Sequence, residues 1–154
     1  MNGNLPINSA MEFQNVDILF PNAGRTARKG MRDALAALDA GGTRADIQNR
    51  YGVIVGVAGA NLSVARGEIS VLMGLSGSGK STLLRAANGL NPITRGAVLV
   101  RNGDSSVDVA NCDRSQMRRL RRERVAMVFQ QFGLLPWRTV RENVGFGLEL
   151  RGDG

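Results

Sequence analysis

Gly74-Leu75-Ser76-Gly77-Ser78-Gly79-Lys80-Ser81-Thr82 is the stretch that decides the fold. It fits G-x-x-x-x-G-K-[ST], a loop that cradles phosphates. Glycines at 74, 77 and 79 let the backbone turn its N–H groups inward with no Cβ in the way. A helix starting near Ser81 adds the positive end of its dipole to that ring of donors. Lys80 is placed to reach terminal phosphates, and the Ser81 hydroxyl to hold Mg²⁺. Both flanks agree with the loop. Ile69-Ser70-Val71-Leu72-Met73 reads as a buried strand, and Ser81 to Leu90 as a helix. Strand, loop and helix in this order predict an α/β fold.

Composition narrows the chemistry around that loop. The 154 residues suffice for one modest domain, and 43% hydrophobic with 21% charged residues is the balance of a soluble globular protein. No run approaches the roughly 20 apolar residues of a membrane span, and the opening Met1-Asn2-Gly3-Asn4-Leu5-Pro6 lacks the pattern of a signal peptide. A single cysteine, Cys112, cannot close an internal disulfide, which fits a reducing cytosol. There is no histidine, which excludes histidine bases, histidine metal ligands and Ser-His-Asp chemistry within these residues. The net charge of +7 rests on arginine, Lys29 and Lys80 being the only lysines. A lysine kept for the phosphate loop is a compact ammonium where one is needed.

Elsewhere the pattern alternates between strand and helix signals. Phe13, Val16, Ile18 and Phe20 suggest a first strand, broken at Pro21-Asn22-Ala23-Gly24. Met31, Ala34, Leu35 and Leu38 repeat at helical spacing within Arg28 to Asp39, which Gly41-Gly42 ends. Thr43 is placed to cap a short second helix through Ile47, with Asp46 in the capping-box position. Val53-Ile54-Val55 and Ala60 to Val64 read as strands, and Arg66-Gly67-Glu68 as a tight turn. Ala97 to Val100 and Val107 to Val109 flank an Asn102-Gly103-Asp104 turn and predict a hairpin. Ser115 to Arg124 is a charged helix, and Val125-Ala126-Met127-Val128-Phe129 reads as a second buried strand with Gln130 at its end. In open α/β sheets that end is where ligands bind. Gln131 to Trp137 reads as a loop and Thr139 to Leu150 as a helix.

Two blocks together carry a family resemblance. Val128-Phe129-Gln130-Gln131-Phe132-Gly133-Leu134-Leu135-Pro136-Trp137, followed by Thr139-Val140-Arg141-Glu142-Asn143-Val144, resembles the Q-loop region of ATP-binding cassette (ABC) transporter ATPases. Gly67-Glu68 before the phosphate loop and Leu83-Leu84-Arg85 after it are similar to the same family. Within it, Leu72 to Thr82 and Met127 to Phe132 resemble the quaternary-amine importers for choline and glycine betaine. The inserted helical stretch, Asn88 to Pro92 and Val107 to Asp113 resemble the choline members most, and the likeness runs from Phe13 to the last residue.

The resemblance implies a P-loop NTPase-type α/β core, here its N-terminal part, with an antiparallel β subdomain and a helical insertion at about 25–50, before the phosphate-loop strands. It implies ATP and Mg²⁺ as cofactors. Gly74, Ser76, Gly77, Ser78, Gly79, Lys80, Ser81 and Thr82 would hold the phosphates, and Lys80 and Gln130 would act in catalysis. Ser81 would ligate Mg²⁺, with Gln130 near the metal and the attacking water. Tyr51 stands where the family often places an aromatic that stacks on adenine. The implied partners are a second nucleotide-binding subunit in a homodimer, a transmembrane permease touched through the Q-loop region and, indirectly, a periplasmic substrate-binding protein. The implied location is cytoplasmic, on the inner face of a bacterial plasma membrane. The family's signature motif, its Walker B strand ending in Asp-Glu and its switch histidine have no counterpart in this sequence. Residues 11–154 are therefore expected to be the N-terminal part of a longer nucleotide-binding domain, preceded by a flexible leader at 1–10.

Parts of the pattern are shared with other kinds of protein. A small P-loop kinase or GTPase shares the loop but has no use for the block from Phe129 to Trp137. A nucleic-acid module would use Met117 to Arg124, yet that stretch has no interleaved aromatics and also reads as a solvated helix with Met117, Leu120 and Val125 turned inward. No nucleic-acid partner is therefore expected. A non-transport ABC ATPase fits the loop but not the quaternary-amine likeness.

Overall fold

The computed structural model describes residues 5–22, 27–130 and 133–152. Strand β1 (Ser9–Pro21) runs antiparallel between β2 (Val53–Ala65) and β3 (Arg95–Asn102). The hairpin strand β4 (Ser105–Asp108) completes a four-stranded sheet in the order β2-β1-β3-β4. Helices α1 (Ala27–Asp39) and α2 (Arg44–Tyr51) stand between β1 and β2, and α3 (Lys80–Ala87) follows the phosphate loop. Helices α4 (Arg114–Glu123) and α5 (Val140–Arg151) complete the order.

The imperfect alternation of β1 has a physical cause: both faces of its second half are covered. Phe13, Val16 and Ile18 enter one core with Val57, Leu83, Ala86, Val98, Val100 and Leu120. Leu19 joins a second core with Ala34, Ile47, Val53 and Val55, built by the helical stretch. Asp17 lies between Val16 and Ile18 in sequence and so points to the face that Leu19 takes. Its side chain is only 2% exposed. Oδ1 accepts from the Gly59 N–H at 2.6 Å, and Oδ2 from Arg95 Nε at 2.6 Å. Arg95 reaches on to both oxygens of Asp39, at 2.7 and 2.8 Å, at the end of α1. One arginine thus connects β1, β3 and the helical stretch.

Local signals account for most element ends. Thr43 caps α2, its hydroxyl accepting from the Asp46 N–H at 3.2 Å, and Gly52 ends the helix in the left-handed region. Capping boxes start α4 (Asp113 with Gln116) and α5 (Thr139 with Glu142). The Asn102–Ser105 register confirms the predicted hairpin. On α4, Leu120 is buried, while Met117 and Val125 pack against the first core.

Three expectations need correcting. Residues 69–73 and 125–129 belong to no sheet among the described residues, and they are not buried: Ile69 is 91% and Val128 96% exposed. Apolar runs of this kind are buried when neighbouring strands supply ladder bonds and helices cover both faces. The described residues supply neither, and only single side chains such as Leu72 and Val125 turn toward the core. Of the leader expected at 1–10, residues 5–10 are tied down. Leu5 is buried, Ser9 and Ala10 belong to β1, and the Arg101 guanidinium donates to the Leu5 and Pro6 carbonyls. Residues 1–4 lie outside the described residues. The short second helix expected through Ile47 runs on to Tyr51, where Gly52 ends it.

Stability should fall in acid. Arg95 holds the Asp39 carboxyl below its ordinary 3.8, Arg138 holds Glu149 below 4.5, and capping hydrogen bonds lower Asp113 and Glu142. A carboxylate with a depressed folded pKa stabilises the fold above its unfolded pKa, and the effect is lost as pH falls through the folded value. Thermal melts should therefore drop from about pH 5 downward. At neutral pH, Asp17→Ala should lose about 2–4 kcal/mol in denaturant unfolding, because it strands the Gly59 N–H and half of Arg95's partners.

Candidate functional site

The phosphate loop is closed on itself by its lysine. Lys80 Nζ donates to the carbonyls of Gly74 and Leu75 at 2.8 and 2.7 Å, and to Ser78 Oγ at 3.2 Å. The loop is tightened by the Ser78 N–H donating to the Leu75 carbonyl at 3.2 Å. Gly79 is the N-cap of α3 and offers no side-chain cap, so the amides of Lys80, Ser81 and Thr82 in the first turn have no intrahelical acceptor. Ring amides, helix dipole and ammonium converge at one exposed place. The Ser81 hydroxyl stands at the start of the same turn and is exposed.

The loop is seated on β2 through two glycines in contact. Gly79 has φ +100°, and a Cβ there would overlap the Gly56 carbonyl oxygen. A Cβ on Gly56 would in turn stand 2.8 Å from Phe20 Cε2 and 3.1 Å from Thr82 Cγ2. The sheet and the helix N-terminus therefore touch backbone to backbone. Sequence reasoning missed Gly56. The available signal was a glycine in the middle of an apolar strand run, which marks close backbone approach.

The other expected residues fall in different places. Gln130 is exposed, and no hydrogen bond joins it to Lys80 or Ser81 among the described residues. Its segment is anchored three residues earlier, where Asn88 Nδ2 at the end of α3 meets Met127 Sδ at 3.2 Å. Gln131 and Phe132 lie outside the described residues. Tyr51 is half-buried and packs against the second core, beside a cavity of about 640 Å³ lined also by Ala37, Ile47 and Arg50. No contact links it to the phosphate loop.

Asn143 organises the block after Gln130, a role that its place in the sequence pattern does not show. Asn143 Oδ1 accepts from the Leu135 N–H at 2.8 Å, and its Nδ2 donates to the carbonyls of Leu135, Arg138 and Thr139. Arg138 pairs with Glu149 at 2.5 Å and lies 4.8 Å from the centroid of the Phe146 ring. This leaves Leu134, Trp137, Val140, Val144 and Leu148 exposed. The last three recur at i, i+4 and i+8 on one helix face.

The loop fits a polyphosphate: free first-turn amides, an ammonium, a hydroxyl beside them, and no carboxylate among residues 74–82. Among the described residues there is no cluster of metal-ligating side chains, and no helix is long and apolar enough to cross a membrane.

Residues 57–153 match the family model described as ABC transporter. The chain is 44% identical over 119 residues to the glycine betaine/proline betaine transport system ATP-binding protein ProV of Escherichia coli, covering 77% of this chain and 29% of that protein. It is 52% identical over 101 residues to the trimethylamine N-oxide transport system ATP-binding protein TmoW of Ruegeria pomeroyi, covering 66% of this chain and 28% of that one. The chain thus spans a little under a third of the length of the curated relatives it matches. A solved dimeric structure of the ATP-binding cassette MJ0796 in a post-hydrolysis state, bound to ADP and Pi, superposes with a TM-score of 0.65 at 26% identity. That match covers 94% of this chain and 49% of the other.

Gly56→Ala and Gly79→Ala should each destabilise the chain by about 1–3 kcal/mol in denaturant unfolding, because the loop must lift from β2. Gly145→Ala, in open space within α5, should be neutral or stabilising by up to about 1 kcal/mol.

Proposed function

The chain belongs to the ABC transporter family, and on that premise we propose that residues 11–154 are the phosphate-binding part of a nucleotide-binding subunit that energises uptake of a quaternary amine. The observation that carries this is the carboxylate-free loop closed by Lys80 and fixed on β2 through Gly56 and Gly79. The names of ProV and TmoW give glycine betaine, proline betaine and trimethylamine N-oxide as their solutes, all small polar molecules built on a fully substituted nitrogen. Choline is the member of that class we assign, on the resemblance in the helical stretch and in 88–92 and 107–113.

When bound, ATP with Mg²⁺ would supply the transferable phosphoryl group and the metal's charge. Lys80 would exchange the Gly74 and Leu75 carbonyls for phosphate oxygens, and the free amides of Ser81 and Thr82 would take further oxygens. The exposed Ser81 hydroxyl would hold the metal, and the Gln130 amide, able both to donate and to accept, would orient water. Tyr51 is assigned to adenine on resemblance alone. Leu134, Trp137 and the Val140–Val144–Leu148 face form the surface assigned to the permease, since a contiguous exposed apolar patch marks a partner site. The subunit works as a homodimer at the cytoplasmic face of the plasma membrane, with a periplasmic binding protein delivering the solute to the permease.

Catalysis of phosphoryl transfer is positioning and charge stabilisation by several elements at once. These residues provide the cradle, one metal ligand and one amide, so the 154-residue chain should bind nucleotide and turn it over hardly at all. In equilibrium binding with a fluorescent ATP analogue, Lys80→Ala should weaken affinity by about tenfold or more. Unchanged affinity would refute the assignment of the loop. Steady ATP hydrolysis by the purified chain, lost in Lys80→Ala, would refute the claim of slow turnover.

A further inference from the structure

A second concentration of positive charge lies away from the phosphate loop. Five of the ten residues of α4 are arginine, and Arg114, Arg118 and Arg122 follow one another at i, i+4 and i+8. Like charges at this spacing destabilise a helix, and none of these positions forms an ion pair among the described residues. This face of α4 lines a cavity of about 1010 Å³ closed on the other side by Gly147, Leu150 and Arg151 of α5.

The lining sets five guanidinium groups against one carboxylate. That carboxylate, Asp113, is committed to capping: its Oδ1 accepts from the Ser115 N–H and hydroxyl at 2.7 Å and from the Gln116 N–H at 2.8 Å. Cys112 adds no charge, because burial pushes its thiol up from an ordinary value already above neutrality. Two arginines are held in place by main-chain carbonyls. Arg121 donates to Asn88 and Gly89 at the end of α3, at 2.9 and 3.2 Å, and Arg122 donates to Arg151 of α5 at 2.8 Å. Arg114 and Arg118 have no hydrogen bond or ion pair to protein among the described residues and are exposed to the cavity mouth.

We propose that the cavity between α4 and α5 is a binding site for a phosphate-bearing anion, gripped by Arg114, Arg118, Arg121 and Arg122. Planar guanidinium forks match two oxygens of one phosphate, and a row of them along one helix face suits a ligand with more than one phosphate or a phosphodiester headgroup. Oriented forks beside free ones give both a fixed anchor and donors left to use. The site shares no residue with the phosphate loop and does not depend on the function proposed for that loop.

The test uses the 154-residue chain carrying Lys80→Ala, so that the phosphate loop is out of play. Inorganic pyrophosphate is titrated while the arginine Nε–H resonances are followed by NMR, and sedimentation is measured with vesicles of neutral lipid alone or mixed with phosphatidylglycerol. Saturable pyrophosphate binding that shifts the α4 arginines, and that weakens by about tenfold or more in Arg114→Gln/Arg118→Gln, supports the site with a soluble ligand. Sedimentation with anionic but not neutral vesicles, lost in the same double variant, supports it with a lipid headgroup. Both side chains are exposed, so the variant should keep its melting temperature, and Arg118→Lys should retain part of the affinity. No binding of either probe, binding that survives the double variant, or binding to duplex DNA alone would overturn the proposal.

Discussion

Asp17 brings a carboxylate into the middle of an apolar sheet, where an unpaired charge would cost several kcal/mol. The fold answers with partners from three directions: the Gly59 amide on β2, Arg95 at the head of β3 and, through Arg95, Asp39 at the end of α1. The demand of one buried group therefore fixes how β1, β2 and β3 meet and where the helical stretch docks. It also has a bearing on the site. Gly59 is three residues past Gly56, the point on β2 where the phosphate loop rests, so the carboxylate steadies the strand that serves as the loop's floor.

The candidate site repeats that economy on a smaller scale. A loop of backbone donors cannot hold its shape by side-chain packing, because its function requires an open face. Here the shape comes from beneath, by backbone contact at Gly79 and Gly56, and from within, by a lysine spanning two carbonyls. The contacts that Lys80 makes inside the loop are the kind it would make with phosphate oxygens, so recruitment of a phosphate is an exchange of acceptors rather than the creation of a new pocket.

Features that depend on neighbours in sequence were legible, and features that depend on distant ones were not. The phosphate loop, the Thr43 cap and the hairpin at Asn102–Ser105 each follow from a few adjacent residues. The partnership of Asp17 with Arg95 spans 78 positions, and that of Gly79 with Gly56 is visible only as two glycines. The runs 69–73 and 125–129 show the converse. Their apolar pattern reports a preference for burial, whereas burial itself requires ladder partners that the described residues do not provide. The second helix runs past Ile47 to Tyr51, where the glycine that follows was the local signal for its end. Asn143 organises the Leu135–Thr139 turn through four hydrogen bonds, which spacing alone does not reveal.

Ile69, Val71, Met73 and Val128 stand in water in apolar runs of strand-forming sequence, and such a run left unpaired is a template for edge pairing. Nothing in their own sequence blunts that edge: residues 69–75 and 125–130 contain no charged side chain and no proline. What keeps two such molecules apart is long-range repulsion from a net charge of +7, carried mostly by arginines elsewhere on the surface. Its colloidal behaviour is therefore set by ionic strength. As the screening length shrinks to about 8 Å at physiological salt, copies can approach closely enough for these edges to pair, and the molecule is most dispersed where its charge is least screened.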